Sequence, residues 1–239
     1  GCGDGSNVLF SGPPFKFTSQ QKAHTNFVNC VRFSPSGDRF VSASSDKKCV
    51  LWNADDASEV GALEGHAGSV YAASWSPDGA KLLTCSADKT CRLWDVGQAA
   101  PTCVSTFELG SAIGDMQVGC IWVGEHLVSV SLDGTLNFLD ASSGACSRRA
   151  PGHTKALTAL AVGEGGELFS SSYDGVTMEW SPDRSACHRT ELHSSAVVGL
   201  HAVGGRMVSA SLDDTVKSTP LPLSGGQEAA AAPLKSQPA

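Results

Sequence analysis

The chain lacks long apolar runs, an excess of basic residues and a recognisable leader. No apolar run approaches the ~18 residues that a membrane-spanning helix needs, and no signal-peptide pattern precedes the first motif. The formal net charge of -7 disfavours nonspecific nucleic-acid binding, since that binding needs a basic face. We therefore expect a protein that binds neither a membrane nor a nucleic acid.

Paired cysteine motifs are also missing. The nine cysteines include no Cys-x-x-Cys pair, and their count is odd. Several of them fall inside apolar strand patterns, where a reduced thiol behaves as a small hydrophobe: Cys30, Cys49, Cys85, Cys91 and Cys120. These features favour a reducing, cytoplasmic environment over a disulfide framework. No histidine has a second His or Cys at ligand spacing in its own segment, so we expect no metal and no other cofactor.

What the chain does contain is a repeated motif, most complete in residues 65–96. Its order is Gly-His, an alternating apolar run, a Ser-Pro-Asp-Gly turn, a run ending Ser-Ala-Asp and a run ending Trp-Asp. Alternation predicts strands, and Pro-Asp-Gly predicts a tight hairpin turn. Gly-His and Trp-Asp marks at a spacing of ~40 to 45 residues are typical of a WD40 repeat, which forms one blade of a β-propeller.

The aspartate of the last turn recurs along the chain at intervals of 42, 42, 45, 41 and 39 residues, at Asp4, Asp46, Asp88, Asp133, Asp174 and Asp213. This period predicts an all-β protein of WD40 propeller blades, about five complete and one partial. The blade at about 104–140 lacks the loop histidine and the strand tryptophan of the motif, which is expected where a propeller closes or at a junction. The tail 223–239 has low complexity and is expected to be disordered.

Most blades carry one histidine, one serine, one aspartate and one tryptophan. The predicted sets are His24, Ser44, Asp46, Trp52; His66, Ser86, Asp88, Trp94; and His153, Ser172, Asp174, Trp180, with His193, Ser211 and Asp213 in a blade where Thr219 replaces the tryptophan. A hydrolase needs one nucleophile in one cleft, so copies at blade spacing favour structural hydrogen bonds over catalysis. We therefore expect no enzyme and no small-molecule substrate.

Several strings go beyond generic repeats. They are GPPFKF at residues 12–17, FVNCVRFSP at 27–35, LVSVSL at 127–132 and LNFLD at 136–140. These strings resemble actin-interacting protein 1, and the resemblance runs from residue 1 to about residue 220. It implies a cytoplasmic, cytoskeletal protein with two seven-bladed propellers that binds actin filaments and cofilin (actin-depolymerising factor) and promotes filament disassembly.

The resemblance also implies a domain arrangement and a binding site. Residues 1–145 would be the last blades of a first propeller and 146–222 the opening blades of a second, so the chain is expected to be a fragment. The actin-contacting positions would be Lys16, Phe17, Phe27 and Asp4. Two alternatives stay open: the phenylalanines could belong to the core, and the chain could be a generic WD40 scaffold, for example in a ubiquitin ligase or a trafficking complex.

Overall fold

The computed structural model describes residues 1–98, 100–180 and 187–223. Over these ranges the chain is built from antiparallel strands and one short 3-10 helix, Ile113–Asp115. The predicted all-β fold is therefore confirmed. The predicted disordered tail, apart from Leu223, lies outside the described residues. No helix in the described ranges is long and apolar enough to cross a bilayer.

The strands form one two-stranded and five larger sheets, each of the larger ones a blade. The two-stranded sheet contains β1 (Ser6–Ser11) and β2 (Lys16–Lys22). Blade 1 contains β3 (Val28–Phe33), β4 (Arg39–Ser44), β5 (Cys49–Asn53) and β6 (Glu59–Leu63). Blade 2 contains β7 (Val70–Trp75), β8 (Lys81–Ser86), β9 (Thr90–Asp95) and β10 (Thr102–Glu108).

The remaining blades follow in chain order. Blade 3 contains β11 (Gln117–Val123), β12 (His126–Ser131), β13 (Thr135–Asp140) and β14 (Ala145–Pro151). Blade 4 contains β15 (Leu157–Val162), β16 (Leu168–Ser172), β17 (Val176–Trp180) and β18 (Cys187–Glu191). Blade 5 has three described strands, β19 (Val197–Val203), β20 (Arg206–Ser211) and β21 (Val216–Pro220).

The second strand of each of blades 1 to 4 is buried on both faces. In β8 every residue after Lys81 is buried, although the strand includes the hydroxyls of Thr84 and Ser86. In β16 all five residues are buried, three of them serines. Because a buried hydroxyl without a partner is costly, each of these strands must find hydrogen bonds for its polar side chains.

The described residues form two compact units. The first is Gly1–Ser129 with Asn137–Arg148, and the second is Val130–Leu136 with the described residues from Arg149 onward. In the first unit, Val41 and Leu51 of blade 1 share a core with Leu82 of blade 2. In the second, Phe169 of blade 4 shares a core with Met207 of blade 5. Neighbouring blades within each unit therefore bury apolar surface against each other, as repeat packing requires.

The segment that follows two consecutive prolines forms an edge strand. β2 begins at Lys16, soon after Pro13 and Pro14, and within the described residues it pairs only with β1. Proline cannot donate to a strand ladder, so this segment suits an outer strand.

The turn after each hinge aspartate bends through the left-handed region, and in blades 1 and 2 a lysine occupies it. Lys47 has φ 77° and Lys89 has φ 71°, whereas Gly134 and Gly175 occupy this place in blades 3 and 4. The left-handed conformation disfavours side chains with a Cβ and suits glycine. These two lysines are therefore mildly strained.

Replacing Lys47 by glycine should stabilise the fold. We expect Lys47→Gly to raise the free energy of unfolding by about 0.5–1 kcal/mol, because it removes left-handed strain. The matched control is Lys48→Gly, which loses the Lys48 Nζ–Glu64 Oε1 contact of 2.6 Å and should lower stability. Urea unfolding of both variants checks the pair; a loss of stability in Lys47→Gly would contradict the assignment of strain.

Candidate functional site

Blade 2 contains a complete chain of hydrogen bonds. The Trp94 indole N–H donates to Thr84 Oγ1 at 2.9 Å. Thr84 Oγ1 lies 2.8 Å from His66 Nε2, and His66 Nδ1 lies 2.9 Å from Asp88 Oδ2. A carboxylate only accepts, so His66 Nδ1 carries the proton and Nε2 accepts from the threonine. This chain links β9, β8, the loop before β7 and the β8–β9 turn.

The predicted histidine, aspartate and tryptophan of blade 2 are brought together, but the predicted serine is wrong. Ser86 accepts from the Asp88 amide at 3.1 Å and does not contact the histidine or the indole. The hydroxyl in the chain is that of Thr84, two residues earlier in β8. Both side chains are on the same face because strand side chains alternate with a period of two, so the face alone could not separate them.

Strand register explains which hydroxyl is used. Leu82 is paired with Trp94 across β8 and β9, so Thr84 is two residues from that pair and Ser86 is four. Four residues of strand span about 13 Å, which is beyond the reach of an indole, while two span about 7 Å. Counting residue pairs outward from the β8–β9 hairpin turn would have identified Thr84 from the sequence.

Blade 1 contains the same chain of hydrogen bonds, and there too the predicted serine is not the one that takes part. Trp52 Nε1 donates to Ser42 Oγ at 2.8 Å, and Ser42 Oγ lies 2.8 Å from His24 Nε2. His24 Nδ1 donates to Asp46 Oδ2 at 2.9 Å. The predicted Ser44 instead donates to the Phe27 carbonyl at 2.8 Å and ties the histidine loop to the end of β4.

Blades 4 and 5 follow the same hydroxyl rule. Trp180 Nε1 donates to Ser170 Oγ, which lies 2.8 Å from His153 Nε2, so the predicted Ser172 is wrong in the same way. In blade 5, His193 Nε2 lies 2.7 Å from Ser209 Oγ, two residues before the predicted Ser211. His193 Nδ1 lies 3.0 Å from Asp213 Oδ2.

Blade 3 has no histidine or tryptophan at these places, yet it keeps the strand hydroxyl. Ser129 Oγ donates to Gln117 Oε1 at 2.8 Å, and Asn137 Nδ2 donates to the same oxygen at 3.2 Å. All three side chains are fully buried. Gln117, Ser129 and Asn137 were not predicted as site residues; the constant spacing of four residues before the hinge aspartate would have identified Ser129.

Hydrogen bonds hold the hinge aspartates ionised. For Asp88, burial raises the pKa, but hydrogen bonds from His66, Thr90 and the Ala67 amide outweigh it and leave the pKa well below its usual range. Burial likewise raises the pKa of Asp213, but hydrogen bonds from Thr215 and His193 outweigh it and leave the pKa below its usual range. The carboxylate end of each chain of hydrogen bonds is therefore charged at neutral pH.

The geometry gives no support to catalysis by these groups. The hydroxyls of Ser42, Thr84, Ser170 and Ser209 are fully buried and already bonded, whereas a nucleophile must reach a substrate. In the described ranges no group of three His, Cys, Asp or Glu side chains could hold a metal ion. All nine cysteines are free thiols, and burial raises the pKa of Cys30, Cys49, Cys85 and Cys91.

The four positions suggested by the resemblance are on the surface, at the two ends of the β1–β2 hairpin. Lys16 and Phe17 pair with Ser11 and Phe10 at the hairpin tip, where the Phe10 and Phe17 rings meet edge to face at 6.3 Å. Asp4 precedes β1 at the other end. There the Phe27 ring lies beside Gly3, since a Cβ added at Gly3 would be 3.1 Å from it. The six residues of β1 separate the two pairs by about 17 Å.

Comparisons with known proteins agree with this architecture. Residues 15–53 and 57–95 match the family described as WD domain, G-beta repeat. WD repeat-containing protein 1 of Gallus gallus is 38% identical over 92% of this chain and 38% of its own length. Actin-interacting protein 1 of Caenorhabditis elegans is 36% identical over 100% of this chain and 41% of its own. Actin-interacting protein 1-2 of Arabidopsis thaliana is 41% identical over 80% of this chain and 33% of its own.

Four-stranded blades braced by a histidine, a strand hydroxyl, an aspartate and a tryptophan, together with the repeat match, define a WD40-repeat protein. Within that class the chain is similar, over most of its own length, to actin-interacting protein 1 and WD repeat-containing protein 1. It spans about two fifths of the length of the first relatives it matches, 38% for the Gallus gallus protein.

Removing the strand hydroxyl should be more damaging than removing the serine two residues later. Thr84→Val keeps the shape but leaves the Trp94 indole and His66 Nε2 unpaired, so we expect a loss of about 2–4 kcal/mol in the free energy of unfolding. Ser86→Ala removes the bond from the Asp88 amide and should cost about 1 kcal/mol. Denaturant unfolding of the two variants decides the matter, and the reverse order would show that Ser86 is the central hydroxyl.

Blade 4 should make stability depend on pH through His153. Burial lowers the pKa of His153 from 6.5 to about 4, with Asp174 raising it and Arg189 lowering it. Between these values the unfolded chain binds a proton that the folded chain excludes, so stability is complete above pH 6.5 and falls as the pH drops towards 4. From pH 7 to pH 5 the loss should be about 2 kcal/mol at most.

Urea unfolding of the protein and of His153→Gln at both pH values measures this contribution. Glutamine suits the site, since Gln117 bonds the equivalent hydroxyl in blade 3. The His153→Gln variant should lose this part of the pH dependence, whereas His126→Gln, at an exposed position, should retain it. Equal pH dependence in all three proteins would show that His153 is not held neutral.

Proposed function

We propose that this chain binds actin filaments and promotes their cofilin-mediated disassembly, as a cytoplasmic, cytoskeletal WD40 protein. The observation that carries the proposal is an identity of 36–41%, over most of the chain, to proteins that are named for their interaction with actin. The chain spans about two fifths of such a relative's length. Activity of the whole protein is therefore part of the proposal.

Surface exposure of the aromatic side chains supports a binding role. Phe17 is 61% exposed and Phe27 is 60% exposed, which favours a surface role over a core role for these rings. Lys16, which precedes Phe17 in the chain, and Asp4, which is at the same end of β1 as Phe27, are also exposed. Exposed aromatic side chains beside charged ones are the kind of anchor that contributes most to protein interfaces.

Action by binding, without catalysis, is the second part of the proposal. It is supported by the hydrogen bonds that the histidine, hydroxyl and aspartate groups make with one another inside the blades. Because the braces are internal, the strand ends and turns are the surfaces left to meet a partner.

A third part concerns domain organisation. We propose that residues 1–145 are blades of a first propeller and residues 146–222 the opening blades of a second. The described residues form two compact units, and the second begins at Arg149 but also includes Val130–Leu136. The start of the second unit at Arg149, close to residue 146, supports this division.

Co-sedimentation with cofilin-decorated actin filaments tests the binding proposal. We expect the chain to pellet with decorated filaments, and Phe17→Ala and Phe27→Ala each to weaken binding about tenfold or more, as loss of an aromatic anchor does. Tyr173→Ala removes another exposed aromatic side chain, 56% exposed, and should bind normally.

The two phenylalanine variants also separate the two ends of the hairpin. Loss of binding in one variant only would place the contact at that end of β1. Full binding and full filament disassembly by both variants, with unchanged circular dichroism, would contradict the assigned surface. Absence of the chain from the pellet at any actin concentration would contradict actin binding and favour a WD40 scaffold of another complex.

A further inference from the structure

The loop that carries the histidine is fastened to the hinge aspartate in the same way in three blades. In each, the carboxylate accepts from the histidine Nδ1 and from the backbone amide of the next residue. The pairs of donors are His24 and Thr25 to Asp46, His66 and Ala67 to Asp88, and His193 and Ser194 to Asp213. We call this arrangement the closed clip.

Blade 4 departs from the closed clip. His153 Nδ1 is buried and has no hydrogen-bond partner. Asp174 Oδ2 accepts instead from the Thr154 hydroxyl at 3.1 Å, and Asp174 Oδ1 accepts from the Val176 amide at 3.0 Å. In the described part of the chain, no bond joins the Thr154 amide to the carboxylate. We call this arrangement the open clip.

A second fastening of the loop is changed as well. In blade 1 Ser44 donates to the Phe27 carbonyl at 2.8 Å, and in blade 5 Ser211 donates to the Ser195 carbonyl at 3.1 Å. In blade 4 the equivalent Ser172 donates to Asp174 Oδ1. Both oxygens of Asp174 therefore accept from side-chain hydroxyls. The histidine loop makes fewer hydrogen bonds to the β16–β17 turn as a result.

Sequence does not force either arrangement. The dipeptide His24-Thr25 forms the closed clip in blade 1, and the same dipeptide, His153-Thr154, forms the open clip in blade 4. The closed clip would give His153 Nδ1 the acceptor that it lacks, and leaving a buried polar group unpaired is costly. The open clip gains the Thr154 and Ser172 hydroxyl bonds. Each arrangement thus gains hydrogen bonds that the other lacks, and such a balance is what a two-state element needs.

We propose that residues 152–156 form a two-state loop in which Asp174 exchanges the Thr154 hydroxyl for His153 Nδ1 and the Thr154 amide. Blades 1, 2 and 5 adopt the closed clip, so the proposed exchange is confined to blade 4. The charged groups that act on His153 are Asp174 and Arg189. Closure brings the imidazole against the carboxylate, so protonation of His153 favours the closed state.

Amide hydrogen exchange measured by NMR at neutral pH tests the open clip directly. We expect the Thr154 amide to exchange about tenfold or more faster than the Thr25, Ala67 and Ser194 amides, which bond carboxylates. Similar protection at all four amides would show that blade 4 is closed like the others and would overturn the proposal.

Removal of the competing hydroxyl tests whether the loop can switch. In Thr154→Ala the closed clip, which Ala67 already shows in blade 2, becomes the better arrangement for Asp174. We expect the residue-154 amide to become protected to the level of Ala67 and the His153 pKa to rise by about one pH unit or more, read from the imidazole chemical shifts.

Thr25→Ala is the matched control, because it removes a hydroxyl from a clip that is already closed. Exchange at residue 25 and the titration of His24 should be unchanged. If Thr154→Ala leaves both the amide exchange and the His153 titration as in the unaltered protein, the loop does not switch. The comparison of amides in the unaltered protein decides the first part of the proposal whatever the variant does.

Discussion

The structure depends on a hydroxyl group that each blade buries at one position of its second strand. This side chain is removed from water in every blade, so its hydroxyl must be satisfied within the protein. Tryptophan donates to it from the third strand, and histidine accepts from it in the loop before the first strand. One buried oxygen thus joins three segments of chain that are far apart in sequence. Its removal would leave two other buried groups unpaired.

Blade 3 shows that the constraint is chemical and is independent of the particular residues. It has neither histidine nor tryptophan at the usual places, but Gln117 and Asn137 meet Ser129 and complete the hydrogen bonds in another way. In blade 4 the strand hydroxyl is also hydrogen-bonded, but His153 Nδ1 has no hydrogen-bond partner. Because the braces form their hydrogen bonds inside each blade, the partner recognition that we propose is assigned to the strand ends and turns. Phe17 and Phe27 are exposed at such places.

Periodicity was enough to predict the blades, since alternating apolar residues and Pro-Asp-Gly turns report local structure. The alternating apolar run in residues 65–96, for example, forms β7, Val70–Trp75. The bracing serine was predicted wrongly, because Ser42 and Ser44 share one face and only register against Trp52 separates them. Exposure of Phe17 and Phe27, and the open clip at His153, depend on tertiary packing that no local pattern contains.

Exchange of the tryptophan indole protons tests the central hydroxyl most directly. Trp52, Trp94 and Trp180 donate to buried hydroxyls. Trp122, half-buried, has no indole hydrogen bond within the described residues. In native conditions the three bonded indole protons should exchange only when their blade unfolds, and that of Trp122 should exchange far faster. Equally fast exchange at all four indoles would contradict the account.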